Sequence, residues 1–207
     1  MKIDKIGYDS GDIVTLAGTK FVVLDVERCG SSPDILFLLT LESVGDSVFG
    51  ISNNYAESDL KKAVDKWLED MGKMGLDNAK LIPSEIDLTT LDGSGCYGKL
   101  SVKAAPLTLD EAREYAYIIP NAEQWCWLAT GWSGPSKSDG DLALCVNSGG
   151  DWVVRYCSES YGIRPALKAP SILFEDSEAG LDLSKVATDD LLREIRKRIS
   201  PKMEEKK

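Results

Sequence analysis

No apolar run in this sequence is longer than a β-strand. The longest, residues 35–41, reads Ile-Leu-Phe-Leu-Leu-Thr-Leu, whereas a helix that crosses a membrane needs about 20 consecutive apolar residues. Residues 1–6 also lack the apolar stretch of a secretory signal peptide. We therefore expect no membrane insertion and a cytoplasmic location, or a virion-associated one if the chain assembles onto another component.

The N-terminal part of the chain predicts an antiparallel meander. Residues 13–16, 21–26 and 34–41 are β-branched or apolar runs, separated by Gly18 and by the Gly-Ser-Ser-Pro segment at 30–33. Short connections of this kind favour pairing of each strand with the next one along the chain. The apolar residues 48–51 are expected to add a short strand.

The clearest helix is predicted over residues 58–71, with Ser58 as its N-cap and Gly72 and Gly75 at its end. Its apolar residues recur at the spacing of one helix face, namely Leu60, Ala63, Val64, Trp67, Leu68 and Met71. Because it lies on this stripe, Trp67 is predicted to have a structural place in the core.

A second, short helix is predicted to begin at Thr108, where Thr-Leu-Asp-Glu is a capping-box sequence, and to reach about Tyr117. The preceding residues 76–105 are interpreted as loop with one or two short strands. Farther on, strands are predicted at 125–129, 142–146, 151–157 and 161–167, with a polar loop at 130–141 and a glycine hairpin turn at 147–150.

The charge and the lack of histidine restrict the function. A net charge of −10 disfavours nucleic acid as a partner, because such a surface requires a basic patch. Without histidine, the chain has no Ser-His-Asp or Cys-His catalysis. The common zinc sites are excluded as well, except an all-cysteine one, which the spacing of the five cysteines does not suggest. We therefore expect a protein that is not an enzyme and that has no cofactor and no metal.

The composition changes after Pro170. Residues 1–170 are predicted to form one domain, and residues 171–207 an extension with a short helix near 188–200 and the charged tail Lys-Met-Glu-Glu-Lys-Lys. The basic cluster at 193–198 is interpreted as a solvated face of that helix. The helix is also a candidate element for homo-oligomerisation.

Three segments carry a resemblance to a known family. They are Tyr-Ala-Glu-Ser-Asp-Leu-Lys-Lys-Ala-Val-Asp-Lys-Trp-Leu-Glu-Asp-Met at 55–71, Ala-Pro-Leu-Thr-Leu-Asp-Glu-Ala-Arg-Glu-Tyr at 105–115, and Trp127-Leu128 followed by Gly-Ile-Arg-Pro-Ala-Leu at 162–167. In this order they resemble an uncharacterised bacterial and phage domain family with a C-type-lectin-like fold, over roughly residues 12–168. Two departures are Trp125-Cys126-Trp127 for the family's doubled Trp, and Ala129 for its Arg.

The resemblance implies an α+β chain with a C-type-lectin-like fold. Two helices would pack on a small antiparallel sheet, and the C-terminal third would form a loop-rich second sheet with the ligand surface. Folds of this kind also serve as the variable proteins of diversity-generating retroelements, in which a stretch before a fixed closing strand is diversified. The resemblance therefore implies a non-catalytic variable protein that recognises a protein or a cell-surface glycan.

The residue types at 151–157 favour the same interpretation. Strand residues alternate between faces, so Trp152, Val154 and Tyr156 share one face and Arg155 lies on the other. Trp, Tyr and Arg are the residue types most enriched at interface hot spots. We predict a ligand surface at residues 130–160 with the contacts Trp132, Ser133, Lys137, Asp139, Asn147, Asp151, Trp152, Val154, Arg155, Tyr156 and Ser158.

Structural roles are predicted for residues at the borders of this surface. Trp127, with its neighbour Trp125, is expected in the core. In the closing strand at 161–167, Gly162 is expected to permit a left-handed conformation or a close approach of backbone. Arg164 is expected to pair with a buried or half-buried carboxylate, and Pro165 to occupy an edge or a position without an N–H bond.

Two alternatives stay open. A relative of the formylglycine-generating oxidases would need reactive cysteines, for which Cys145 and Cys157 are candidates, although all five cysteines are expected to be buried and inert. A structural or assembly component of a phage would use the C-terminal helix.

Asp139, Asp141 and Asp151 offer oxygen ligands for calcium, but the Glu-Pro-Asn and Trp-Asn-Asp motifs of sugar-binding lectins are absent from the sequence.

Overall fold

Two five-stranded sheets and two α-helices dominate the computed structural model, which describes residues 7–135 and 138–174. The fold is mixed α+β, with more strand than helix, as expected. Two single-turn 3-10 helices, Tyr55–Glu57 and Asn78–Lys80, add to the helical part, and residues 172–174 are also helical. None of the helices described has the length and apolar character to cross a membrane.

The first sheet contains the predicted meander. Strands β1 (Ile13–Leu16), β2 (Thr19–Glu27) and β3 (Ile35–Thr40) pair antiparallel in sequence order. The sheet continues from β3 to β12 (Pro165–Pro170) and then to β7 (Ala104–Pro106), again with antiparallel pairing. A strand from the C-terminal part of the chain therefore lies inside the sheet that the N-terminal strands begin.

The second sheet contains the strands predicted after Pro120. Its order is β10 (Trp152–Tyr156), β9 (Leu142–Val146), β8 (Cys126–Gly131), β11 (Ser160–Gly162) and β4 (Asp46–Val48). The pairing is antiparallel except between β8 and β11, which run parallel. The strand β10, which carries much of the predicted ligand surface, is thus an edge strand.

The prediction of one closing strand over residues 161–167 is wrong, because this segment belongs to both sheets. Gly162 ends β11 in the second sheet, where it pairs with Cys126, and Pro165 begins β12 in the first sheet. Ile163 and Arg164 connect the two strands. Pro165 has no N–H to donate, and the first position of a strand is a place where sheets tolerate proline.

The first helix, α1 (Asp59–Lys73), begins as predicted. The Ser58 hydroxyl accepts a hydrogen bond from the Lys61 N–H at 2.9 Å. The helix ends at Lys73, beyond the predicted stop at Gly72, because Gly72 keeps a helical conformation inside the last turn. Trp67 is only half-buried, with its ring 6.4 Å from that of Phe21, so it packs at the border of the core and not within it.

The second helix, α2 (Leu109–Glu114), has the predicted capping box between Thr108 and Glu111, but it ends earlier than Tyr117. Residues 76–105 contain more strand than predicted: β5 (Ser84–Asp87) and β6 (Lys99–Val102) form a two-stranded sheet, and β7 joins the first sheet. These strands have three or four residues each, which is too short for an alternating pattern to identify them.

One apolar cluster joins the two sheets and α2. Leu39 and Ala166 come from the first sheet, Leu128 and Leu144 from the second, and Ala112 from α2. Val154 of β10 packs against this cluster from the edge. The face of β10 that carries Val154 is therefore the inner face of the second sheet.

One structural unit extends to Leu173. The predicted extension at 171–207, with its helix, basic cluster and role in oligomerisation, falls almost entirely on residues 175–207, which lie outside the described residues. The predicted domain division after residue 170 therefore stays a prediction.

Candidate functional site

The predicted ligand surface is divided between the two faces of β10. Trp152 pairs with Val146 and Val154 with Leu144, so these side chains lie on the inner face, as does Tyr156. Arg155 pairs with Ala143 and projects from the outer face. A single partner that contacts all of these side chains would have to wrap around the sheet edge.

Trp152 and Tyr156 stand at the two ends of the inner face, where they are 43% and 57% exposed. Val154, between them, is half-buried against the core, so its predicted role as a ligand contact is corrected to one of packing. The guanidinium of Arg113, on α2, lies 5.5 Å from the centroid of the Trp152 ring. The predicted exposure of Trp152 and Tyr156 is confirmed.

On the outer face, the ring of Trp125 has two neighbours. The guanidinium of Arg155 covers one side of its ring at 4.5 Å from the centroid, and Tyr161 stacks on it with ring centroids 5.5 Å apart. The Tyr161 hydroxyl donates to a Glu159 carboxylate oxygen at 2.5 Å, and Arg155 Nε is 3.9 Å from the same oxygen. Trp125 is thus half-buried in a stack, and its prediction as a core residue is wrong.

The hairpin between β9 and β10 has the predicted turn. The Asn147 Oδ1 accepts hydrogen bonds from the N–H groups of Gly149 and Asp151 at 2.8 and 2.9 Å. Its Nδ2 donates to the Asp151 carboxylate at 3.1 Å. The polar atoms of Asn147 therefore stabilise the turn, and Asp151 keeps an exposed carboxylate beside it.

The segment after β8 is less exposed than predicted. Ser133 is 2% exposed, so its side chain is not available to a ligand, and Trp132 is half-buried. The cause is Asn53, itself buried, whose Nδ2 donates to the carbonyls of Ser133 and Leu142 at 2.9 Å each. The sequence gives no sign of this interior bridge, because Asn53 and Ser133 are 80 residues apart.

Three other predicted contacts have different outcomes. Asp139 is half-buried, and its carboxylate accepts a hydrogen bond from the Ser138 hydroxyl at 3.2 Å. Ser158, after β10, is exposed. Lys137 lies outside the described residues.

No group of three or more Cys, Asp or Glu side chains arranged to hold a metal ion is found within residues 7–135 and 138–174.

Arg164 is buried but has a different partner from the one predicted. Its Nε, Nη1 and Nη2 donate to the carbonyls of Thr40, Pro120 and Leu41, at 3.0 Å each. Within the described part of the chain it makes no ion pair with a carboxylate, which corrects the prediction. Burial lowers the pKa of the Arg164 guanidinium. The side chain therefore fastens the end of β3 to the segment after α2 through backbone oxygens.

Trp127 and Gly162 have the predicted structural roles. Trp127 is 1% exposed, and its Nε1 donates to the Ser47 carbonyl at 2.9 Å. A Cβ atom on Gly162 would lie 2.7 Å from Gln124 Nε2 and 2.8 Å from Ser43 Oγ. Gly162 therefore permits the close approach of three segments, and nothing larger fits there without a shift of its neighbours.

The cysteines divide into two groups. Cys126, Cys145 and Cys157 are buried, and burial raises their pKa values to about 11, 12 and 12. Cys96 is exposed and Cys29 half-buried, so the prediction that all five are buried is wrong. The two thiols that the oxidase alternative would use, Cys145 and Cys157, are thus protonated at neutral pH and poor nucleophiles.

The side chains that complete the candidate site were not predicted as such. Tyr161 and Glu159 join Arg155 and Trp125 on the outer face, beside an open hollow that Asp46 and Gln124 also line. The pairing of Trp125 with Arg155 depends on the sheet order, in which β9 separates their strands, and no local pattern reveals it.

Comparisons of the chain with family models, with curated proteins and with solved structures gave no match.

Proposed function

We propose that this chain is a non-catalytic ligand-binding protein with a C-type-lectin-like fold, whose C-terminal surface recognises a protein or a cell-surface glycan. One observation carries the proposal: Trp152 and Tyr156 stand 43% and 57% exposed on an edge strand whose middle residue is anchored in the core. Large aromatic side chains on a rigid support are the usual centres of binding interfaces, because they bury much area at little cost in conformational entropy.

The arrangement of the closing segment supports the fold assignment. The chain passes from the second sheet to the first at Ile163 and Arg164, and Arg164 is bonded to three backbone carbonyls there. Such a segment fixes the two sheets against each other. The lectin-like arrangement implied by the Gly-Ile-Arg-Pro-Ala-Leu motif likewise has a fixed closing segment directly after a variable one.

The contacts of β10 support a surface that tolerates diversification. The strand is held to β9 by backbone pairing over its whole length, which does not depend on side-chain identity. Trp152 and Tyr156 are largely outside the core, in contrast to Trp127, which is 1% exposed. Substitution on β10 is therefore expected to change what is bound and to leave the fold intact, as a retroelement-diversified variable protein requires.

A display library tests this proposal. Positions 152, 155, 156 and 158 would be randomised, the folded members isolated by their resistance to protease, and binders selected against hen lysozyme as a model target. We expect most members to remain folded and specific binders to emerge. The matched control library randomises Trp127, Gly162, Arg164 and Pro165, and we expect almost no folded members from it.

The native ligand is sought with the unmodified chain. The biotinylated protein, made tetravalent on streptavidin, would be applied to glycan and protein arrays beside the variant W152A/Y156A and the control Tyr117→Ala, which removes a fully exposed aromatic elsewhere. We expect the bound features to be lost with W152A/Y156A and kept with Tyr117→Ala. Binding to the same array features by both variants would contradict the proposal. So would a first library in which folded members are as rare as in the control library.

A further inference from the structure

A cavity of about 90 Å³ lies behind the inner face of the second sheet. Apolar side chains make most of its wall, among them Leu39, Leu128, Val146 and Ile119. It is partly open to solvent beside Trp152 and the hairpin turn, where Gly150 and Asn147 line it. The cavity is therefore a small apolar chamber with an entrance at the edge of the predicted ligand surface.

One wall of this chamber contains a cation. Arg164 lines it while being 93% removed from solvent, since only 7% of its surface is exposed. A guanidinium has five N–H groups. In Arg164, each of the three nitrogens donates one hydrogen bond to a backbone carbonyl, so three of the five N–H groups are used. Carbonyl oxygens carry only partial charge, and no carboxylate among the described residues forms an ion pair with Arg164. Buried charges in proteins are generally paired with an opposite charge.

We propose that this cavity binds a small aliphatic carboxylate, with the carboxylate at Arg164 and the hydrocarbon part against Leu39, Leu128 and Val146. The anion supplies the negative charge that the three carbonyls lack. It also accepts hydrogen bonds from the two remaining N–H groups of the guanidinium. Burial is the main cause that lowers the pKa of Arg164, and Glu42 opposes it without forming an ion pair, so the cation still gains from a closer anionic partner. This site adjoins the macromolecular surface on β10 at Trp152, which lines the cavity, but it does not depend on a macromolecule binding there.

The volume limits the size of the ligand. A cavity of about 150 Å³ holds benzene, so a chamber of about 90 Å³ accommodates a smaller hydrocarbon group. A short branched chain such as that of isobutyrate fits this limit, whereas an aromatic acid such as benzoate exceeds it. Besides Arg164, the polar side chains of the lining are Asn121, Gln124 and Asn147, and the rest of the wall is mostly apolar, which disfavours sugars and other strongly hydrated molecules.

The experiment is a titration of the isotope-labelled full chain, followed in its two-dimensional amide and indole NMR spectrum. Isobutyrate is the probe, and isobutyramide is the uncharged isostere. We expect saturable shifts at the Trp152 indole and at the amides of Val146 and Gly150. The amide should bind at least tenfold more weakly, a difference of about 1.4 kcal/mol, and benzoate should also bind more weakly than isobutyrate.

Variants separate the cavity from other cationic sites. Val146→Phe fills the chamber, and Ala116→Phe covers it from an exposed position, so the second variant stays informative if the first one does not fold. Both should weaken isobutyrate binding at least tenfold, whereas Arg155→Gln, on the opposite face, should leave it unchanged. Equal affinity for isobutyrate and isobutyramide, shifts outside the cavity alone, or undiminished binding to Ala116→Phe would overturn the proposal.

Discussion

The guanidinium of Arg155 lies over the indole ring of Trp125, with its central carbon 4.5 Å from the ring centroid. The contact joins the edge strand β10 to the residue before β8, across the intervening β9. Tyr161 stacks on the same indole ring, with centroids 5.5 Å apart. Arg155 therefore has a structural partner, and among the large side chains of β10 it is Trp152 and Tyr156 that remain for a ligand.

The first prediction concerns this contact. In a double-mutant cycle of Arg155→Gln and Trp125→Leu, we expect a coupling free energy of about 0.5–1 kcal/mol, the usual range for a partly exposed cation–π pair. Urea denaturation of the four proteins measures it. The control cycle combines Arg113→Gln with Trp125→Leu, and it should give no coupling because Arg113 lies over Trp152 on the other face. A coupling free energy of zero between Arg155 and Trp125 would show that the contact does not stabilise the fold.

Much of the fold could be predicted because its signals are local. The meander, the N-cap Ser58, the capping box at Thr108 and the turn at Asn147 each depend on residues a few positions apart. The exposure of Trp152 and Tyr156 was expected from their residue types, which are those of binding interfaces. Backbone geometry and hydrogen bonds between residues close in sequence determine these features.

The remaining features depend on pairings between distant segments. The carbonyls that bind Arg164 are 44 to 124 residues away, and a carboxylate partner was predicted because the sequence does not show which backbone oxygens are free. The burial of Ser133 by Asn53 is of the same kind. The segment at 161–167 resembled one strand because no local signal shows that its two ends enter different sheets.

The second prediction concerns Arg164. Arg164→Met leaves the carbonyls of Thr40, Leu41 and Pro120 without their donor, and we expect a loss of about 3 kcal/mol or more in the free energy of unfolding. Arg164→Lys keeps the charge but not the planar fork, so its loss should be smaller but still evident. Urea denaturation gives both values. Arg155→Met, as the control, should cost about 1 kcal/mol or less, and a similar loss for Arg164→Met would contradict the structural role.

The third prediction concerns Gly162. In Gly162→Ala the added methyl group would lie 2.7 to 3.0 Å from Gln124, Ser43 and Cys126. We expect destabilisation of about 1–3 kcal/mol from this overlap. Gly95→Ala is the matched control, because a Cβ there meets nothing within 4 Å, and it should change stability by about 0.5 kcal/mol or less. Thermal unfolding of the two variants compares them, and equal melting temperatures would refute the close approach at Gly162.

The fourth prediction concerns alkaline pH. The pKa values of Cys145 and Cys157 are raised from the ordinary value of 9.0 to about 12. Between these values the unfolded chain loses thiol protons that the folded chain keeps, so stability falls as pH rises. Each thiol contributes at most about 1.4 kcal/mol per pH unit. Stability measured by urea denaturation from pH 8 to pH 11 should decline above roughly pH 9.

The variant Cys145→Ala isolates the contribution of one thiol. Its stability should decline less steeply above roughly pH 9, while the decline due to other groups, such as Tyr115 with its pKa raised to about 12, is unchanged. An identical slope in the variant would show that Cys145 is not protected. As an independent check, a thiol reagent at neutral pH should label Cys29 and Cys96 in the native protein, and all five cysteines only after denaturation.

The fifth prediction places the border between residues that stabilise the fold and residues that meet a ligand. Trp127→Ala removes a buried ring that packs on Phe49 and Tyr161, at centroid distances of 5.4 and 5.0 Å, together with the bond from Nε1 to the Ser47 carbonyl. We expect it to cost about 3–5 kcal/mol. Trp152→Ala and Tyr156→Ala remove side chains that are 43% and 57% exposed, so each should cost about 1 kcal/mol or less.

The measurement is the free energy of unfolding in urea for the three single variants and for W152A/Y156A. The two exposed positions should be additive within about 0.5 kcal/mol, because Val154 separates them on the strand and they share no partner. A cost for W152A/Y156A that approaches that of Trp127→Ala would mean that β10 supports the core and is not free to vary. A small cost would leave the exposed side chains of β10 available for recognition, since the fold does not depend on them.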